Sequence, residues 1–153
     1  MLKHFIVQPS RIEISTPTSI ISASFYVDHK ELDRYRPGYF MHTHLTALMT
    51  SDGTTTHLIA ANSTQDGYRK GVGAKARFNY ISGFTQISEK LVIVADFWCY
   101  CFRLIDRTTN NTSEFSGLCV SHGYQDDRLG PFDGPRSVVI DKRDRNQLLI
   151  TDH

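Results

Sequence analysis

The chain carries almost no surplus of charge: seventeen basic residues stand against sixteen acidic ones, a formal net charge of +1 over 153 residues. No run of lysine or arginine forms a stripe that could track a phosphate backbone, which argues against a nucleic-acid partner. Long apolar stretches are also missing. The longest, such as residues 91–95, fall far short of the roughly 20 residues that a membrane-spanning helix needs. At the N-terminus, Met1-Leu2-Lys3-His4-Phe5-Ile6-Val7 meets Gln8-Pro9 before an apolar region of signal-peptide length develops, so no cleavable signal is visible. Helix signals are scarce. The best, residues 28–31 with the spacing of a capping box ahead of Pro37, allows at most a short helix or a polar insertion. Gly-rich phosphate loops, nucleophile elbows and metalloprotease motifs do not occur.

What is present is a repeat. Gly67-Tyr68-Arg69-Lys70-Gly71, Ala76-Arg77-Phe78 and Val92-Ile93-Val94-Ala95-Asp96 return as Gly123-Tyr124-Gln125-Asp126-Asp127, Pro131-Phe132 and Leu148-Leu149-Ile150-Thr151-Asp152. The offset is 56 residues at both ends, since 123 − 67 = 56 and 152 − 96 = 56. A period of this size marks a propeller or solenoid, in which no unit buries its apolar faces alone. Turn residues divide the middle unit into four short β-rich runs at 83–88, 90–97, 99–107 and 112–117. Four antiparallel strands make one propeller blade. The unbroken apolar run Leu91-Val92-Ile93-Val94-Ala95 requires both faces of its sheet to be covered, as between two neighbouring blades.

The third unit shows two runs, 137–141 and 147–152, and ahead of the middle unit 40–50 and 55–61 read as a hairpin about a turn at 51–53. The expected fold class is all-β: a partial β-propeller of roughly two to two and a half four-stranded antiparallel blades. Residues 1–39 form an irregular or strand-rich segment, and residues 40–153 form blades, partial over 40–62, complete over 83–118 and truncated over 137–153. Propellers close with about four to eight blades, so a ring at this period needs at least about 220 residues. The expectation is therefore a piece of a larger ring, closed by further blades of a parent chain or by another copy.

Several residues could carry chemistry, and each has a plainer reading. His42-x-His44 would project two imidazoles from one strand face, the minimum for a metal, but no third ligand accompanies them. Asp96 and Asp152 end equivalent strands, so their repetition suggests that they bond local backbone amides and fix the turn into the next strand. Gly67 and Gly123 fall in linkers between blades, where permissive dihedrals explain them without phosphate binding. Cys99 and Cys101 share a strand face in this reading and, with Cys119, could offer three thiolates to zinc; no fourth ligand has recognisable spacing, and Cys99 reads as a buried apolar residue. Cys101 and Cys119 lie equally far from Asn110, which would make them cross-strand neighbours, either bonded or as reduced core cysteines. Asn62, Asn110 and Asn111 are N-glycosylation acceptors, which are compatible with export.

Residues 55–152 resemble the NHL-repeat family of β-propellers. The family's linker pattern matches Gly67, Tyr68, Gly71, Ala76, Phe78 and Gly83, with Lys70 in place of the acid and Ile81 in place of proline. The second copy matches at Gly123, Tyr124, Asp126, Phe132 and Pro135, with Asp127 and Ser137 in place of glycines. The next element matches at Val92, Val94, Ala95, Asp96, Phe102 and Arg103, with Cys99 where asparagine is usual. The resemblance implies a six-bladed type of propeller. Cysteines placed like Cys101 and Cys119 in extracellular-looking members imply a disulfide between them and a secreted glycoprotein. It further implies a non-enzymatic scaffold that binds a protein or glycan through its blade-end loops, without a cofactor. Two other activities occur among NHL propellers: a metal-dependent peptidyl-hydroxyglycine lyase, which needs several converging histidines, and RNA binding, which needs a basic face.

Overall fold

The computed structural model describes residues 5–7, 40–44, 46–51, 55–62, 64–88, 90–123, 131–141, 143 and 147–153. The strand reading of 14–26, the helix reading of 28–37 and the linker residues 124–130 lie outside the described residues. The described chain is all-β, and its strands form three antiparallel sheets in a partial, propeller-like array.

The central sheet explains the apolar run. Strands β5 (Gly71–Val72), β6 (Ile81–Gln86), β7 (Leu91–Asp96), β8 (Cys101–Asp106) and β9 (Asn111–Ser116) pair in the order β5-β9-β8-β7-β6. Four of them are the expected blade, and the short β5 is an addition along its outer edge through Gly71↔Thr112 and Val72↔Asn111. On one face Phe84, Val92, Val94 and Ile105 pack with Leu48, Ile59 and Ala60 of the preceding sheet. On the other, Ile93, Ala95 and Phe102 pack with Val138, Leu148 and Ile150 of the following one. Both faces are buried, so alternation is lost.

The preceding sheet differs from the sequence reading. Residues 40–50 do not run as one strand: a turn at Thr46 separates β2 (Phe40–His44) from β3 (Ala47–Ser51), and β4 (Thr56–Ala61) completes a three-stranded sheet. The third sheet differs too. Its expected strands β10 (Ser137–Ile140) and β11 (Leu148–Thr151) are joined by a third, β1 (Phe5–Val7), in the order β1-β11-β10. Residues 5–7 therefore belong with the last unit of the chain. The Phe-Ile-Val run satisfies an edge of β11 that would otherwise stay unpaired.

The central and third sheets approach each other closely at Gly83. A Cβ placed there would stand 2.6 Å from the carbonyl oxygen of Arg136 and 3.2 Å from Cα of Ser137. Beside it Ser82 Oγ donates to the carbonyl of Pro135 at 2.6 Å. Only a residue without a side chain lets β6 approach the entry to β10 at this distance. Gly83→Ala should therefore destabilise the chain by about 1–3 kcal/mol as the two backbones are pushed apart. Urea unfolding checks this; a midpoint equal to that of the parent would show that the sheets separate freely.

Candidate functional site

Five motif residues of the first copy, Tyr68, Arg69, Arg77, Phe78 and Asp96, converge on one buried cation. Arg103, on β8, is fully buried and reaches back to the linker that precedes the blade. Its Nη1 lies 3.2 Å from Asp96 Oδ2 and donates to the carbonyl of Arg77 at 3.2 Å, while Nη2 donates to the carbonyl of Arg69 at 2.9 Å. The guanidinium sits 4.9 Å above the Tyr68 ring and 5.0 Å from that of Phe78. Its Nε has no hydrogen-bond partner among the described residues. Asp96 Oδ1 in turn accepts the backbone N–H of Asn79 at 2.8 Å. In the second copy Asp152 accepts the N–H of Asp133 at 3.1 and 3.0 Å. Both carboxylates thus bond backbone amides of the linker leading into the first strand, and each also bonds a group just past its own strand, Cys99 for Asp96 and the His153 amide for Asp152. Each fastens the linker to its own blade. Gly67 belongs to the same linker, its N–H donating to the carbonyl of Phe78, and Gly123 likewise donates to the carbonyl of Phe132.

Burial sets the electrostatics of this cluster. It pushes the Asp96 carboxyl up to about 6, against the opposing pull of the Asn79 amide and the Arg103 charge. Burial, reinforced by the Asp96 charge, pushes the Cys99 thiol up to about 12. Tyr68 also rises to about 12, through burial and its hydrogen bond to Glu114. Asp152 rises for the same first reason. At neutral pH this keeps Cys99 a protonated thiol packed in the interior.

The cysteines are arranged differently from the strand reading. Cys99 lies in a 3-10 turn, Phe97–Cys99, and Tyr100 beyond it is left-handed, so Cys99 and Cys101 do not share a strand face. Cys101 and Cys119 are bonded, with Cα atoms 5.0 Å apart, which leaves neither free to bind zinc. They are not opposed in the strand register: β8 and β9 pair Arg103 with Glu114 and Asp106 with Asn111, so the hairpin is not centred on Asn110. Cys119 lies past the end of β9, where Gly117 (φ 89°) turns the chain back toward the start of β8. Val120 N–H then donates to the carbonyl of Cys99 at 2.8 Å.

The remaining candidates are dispersed. His42 and His44 stand on β2 opposite Met49 and Ala47. Among the described residues no group of three or more His, Cys, Asp or Glu side chains could hold a metal ion. Asn62 Oδ1 accepts both the N–H and the hydroxyl of Thr64. Asn110 is left-handed in the β8–β9 turn, and its carbonyl accepts the N–H of Gly73, while the adjacent Asn111 is exposed.

Sequence reasoning passed over an exposed cluster at one end of the central sheet. Ile81 pairs with Asp96 and Asp96 with Cys101, so the start of β6, the end of β7 and the start of β8 lie together. There Tyr80 and Trp98 project from the surface, 41% and 55% exposed. Between them Phe97 stands edge-on to both, with centroids 6.0 Å from Tyr80 and 4.7 Å from Trp98. The third sheet contributes as well: Arg136 lies 5.1 Å over the Phe97 ring, and Gly134 fits between Phe97 and His153. Leu118 and Val120, both exposed, flank the disulfide at this same end. A sequence signal existed in Phe97-Trp98, two large aromatics placed immediately after the strand-ending Asp96.

The array resembles parts of larger solved structures in fold. The chain superposes on a protein of unknown function from Bacteroides thetaiotaomicron, with a TM-score of 0.59 at 15% identity over 76% of the chain. It superposes as well on an auxiliary nutrient binding protein from the same organism (TM-score 0.55, 16% identity, 75% of the chain) and on another from Bacteroides ovatus (0.59, 14%, 74%). The chain spans 37%, 35% and 36% of the length of the first-named nutrient binding protein, the protein of unknown function and the Bacteroides ovatus protein, respectively. No protein-family model and no curated protein matches the sequence.

Proposed function

We propose that this chain is a segment of an NHL-type propeller that acts as a binding scaffold, taking its ligand on loops at the ends of the blades. The observation that carries this reading is the division of labour among its residues. Asp96, Arg103 and Asp152 of the repeat motif are buried and hold linkers to blades, whereas exposed aromatic and aliphatic residues gather at one end. Two of the structural counterparts are nutrient binding proteins, which supports a binding role and a ligand taken up from outside the cell. The disulfide supports an extracellular or periplasmic setting, since such bonds persist where the environment is oxidising. In this organisation residues 40–62, 83–118 and 137–153 are successive blades, and the strand Phe5–Val7 adds to the last of them.

A thermal-shift screen against monosaccharides, oligosaccharides, short peptides and vitamins tests the binding role. A ligand present at about a hundred times its Kd should stabilise the chain by about 2.7 kcal/mol, a clear rise in the unfolding temperature. Uniform lack of response across all four classes would overturn the scaffold reading.

A further inference from the structure

The repeat supplies an internal control for the aromatic cluster. Phe78 and Phe132 are equivalent, with an offset of 132 − 78 = 54, and the residues after them, Asn79 and Asp133, both donate an N–H to the strand-ending aspartate. Tyr80 therefore corresponds to Gly134. Asp96 and Asp152 are equivalent with an offset of 56, so Phe97 corresponds to His153. What the fold needs recurs: the glycine that opens the linker, the phenylalanine and the aspartate are present in both units. Tyr80 and Phe97 do not recur as aromatics.

Tyr80 makes the contrast sharper. Its φ is 89° and that of Gly134 is 138°, both in the left-handed half of backbone space that a residue with a Cβ enters at a cost. The second unit avoids that cost with glycine. The first holds a tyrosine there, its ring edge-on to Phe97 and partly open to solvent. A costly backbone conformation kept for an exposed side chain points to a role outside the fold.

We propose that Trp98 and Tyr80, braced by Phe97, form a stacking platform for a sugar ring, with Arg136 bonding its hydroxyls. This rests on the binding reading above and names its site and ligand class. A pyranose presents an apolar C–H face and a rim of hydroxyls, and the cluster offers the matching pattern: aromatic surface in the middle, bordered by the exposed Arg136, Asp133 and His153. Stacked nucleobases would need a cationic track beside the aromatics, and the chain is close to neutral.

Trp98 is the single tryptophan of the chain, so its fluorescence reports on this site alone. The protein is titrated with maltohexaose, cellohexaose, xylohexaose, mannohexaose and a chitin oligomer, and binding is followed by Trp98 emission and by calorimetry. At least one should bind saturably and shift the emission. Trp98→Ala should weaken that binding by about tenfold or more, as loss of a central aromatic anchor does. Tyr80→Gly should weaken it by about threefold or more while leaving the unfolding temperature equal or higher, an outcome that a purely structural role would not give. Sugar binding that persists in both variants would place the site elsewhere and leave the scaffold reading standing. Binding of peptides or vitamins with no oligosaccharide bound would overturn the sugar assignment alone, and so would capture of a protein partner that Trp98→Ala abolishes and sugars do not compete. Silence across every ligand class would overturn both.

Discussion

Replacing Arg103 by methionine should destabilise the chain by about 3–5 kcal/mol, the range for removing one partner of a fully buried ion pair. Methionine fills much of the same space, so the loss is not chiefly a cavity. It comes from what the guanidinium leaves behind: the Asp96 carboxylate without its countercharge, and the carbonyls of Arg69 and Arg77 without their donors. Lysine would not substitute, because one ammonium cannot span Asp96 and two linker carbonyls as a planar fork does. The effect should depend on pH in a defined direction. Burial already raises the folded Asp96 carboxyl to about 6 from an ordinary value of 3.8, so its contribution falls as pH climbs through about 6. Without Arg103 that folded value moves higher still, and the folded chain holds a proton that the unfolded chain has released over a wider window. The deficit of Arg103→Met relative to the parent should therefore be smaller at about pH 5 than at about pH 8, as measured by urea unfolding at each pH. A deficit independent of pH would show that Asp96 does not depend on Arg103 for its charge.

Arg103 also shows where sequence reasoning reaches and where it stops. The 56-residue offset was legible because the linker, the phenylalanine and the aspartate recur, and these are the groups that tie each linker to its blade. The run Leu91-Val92-Ile93-Val94-Ala95 was legible as a strand buried on both faces, because burial on two sides erases alternation. Register was not legible. Bulges near Phe102/Arg103 and Ile81/Gly83 shift pairing by a residue, and counting outward from a turn cannot detect them. Nor could the placement of β1 beside β11 be read, since a three-residue strand has no period and its partner lies at the far end of the chain. The aromatic platform was missed for the opposite reason. Motif reading rewards what recurs, and Tyr80 and Phe97 stand out because their equivalents, Gly134 and His153, are not aromatic. That distinction needed the hydrogen bonds of Asn79 and Asp133 to align the two linkers residue by residue.

Cutting the Cys101–Cys119 bond, by substituting both with serine, should cost about 3 kcal/mol, the chain-entropy value for a closed loop of this size. The register identifies which segment pays most of that cost locally. Ser116 is the last residue of β9 to pair with β8, and past Gly117 the chain has left the sheet. From there the segment is held near its start by the disulfide and the bond from Val120 N–H to the carbonyl of Cys99, and near its end by the Tyr100–His122 ring contact and the bond from Gly123 N–H to the carbonyl of Phe132. Cys99 closes the same 3-10 turn that presents Phe97 and Trp98. Loss of the bond should therefore loosen residues 117–123 and the Trp98 turn before it unfolds the sheets. Amide exchange should rise at Val120 while the amides of β7 and β8 stay protected. Thiol labelling provides an independent check. In the folded, oxidised chain an alkylating reagent should modify no cysteine, because Cys99 is buried as a thiol pushed up to about 12. After mild reduction Cys101 and Cys119 should react first. Prompt labelling of Cys99 in the oxidised chain would mean that the turn opens without reduction, and that the aromatic platform is held by less than the disulfide.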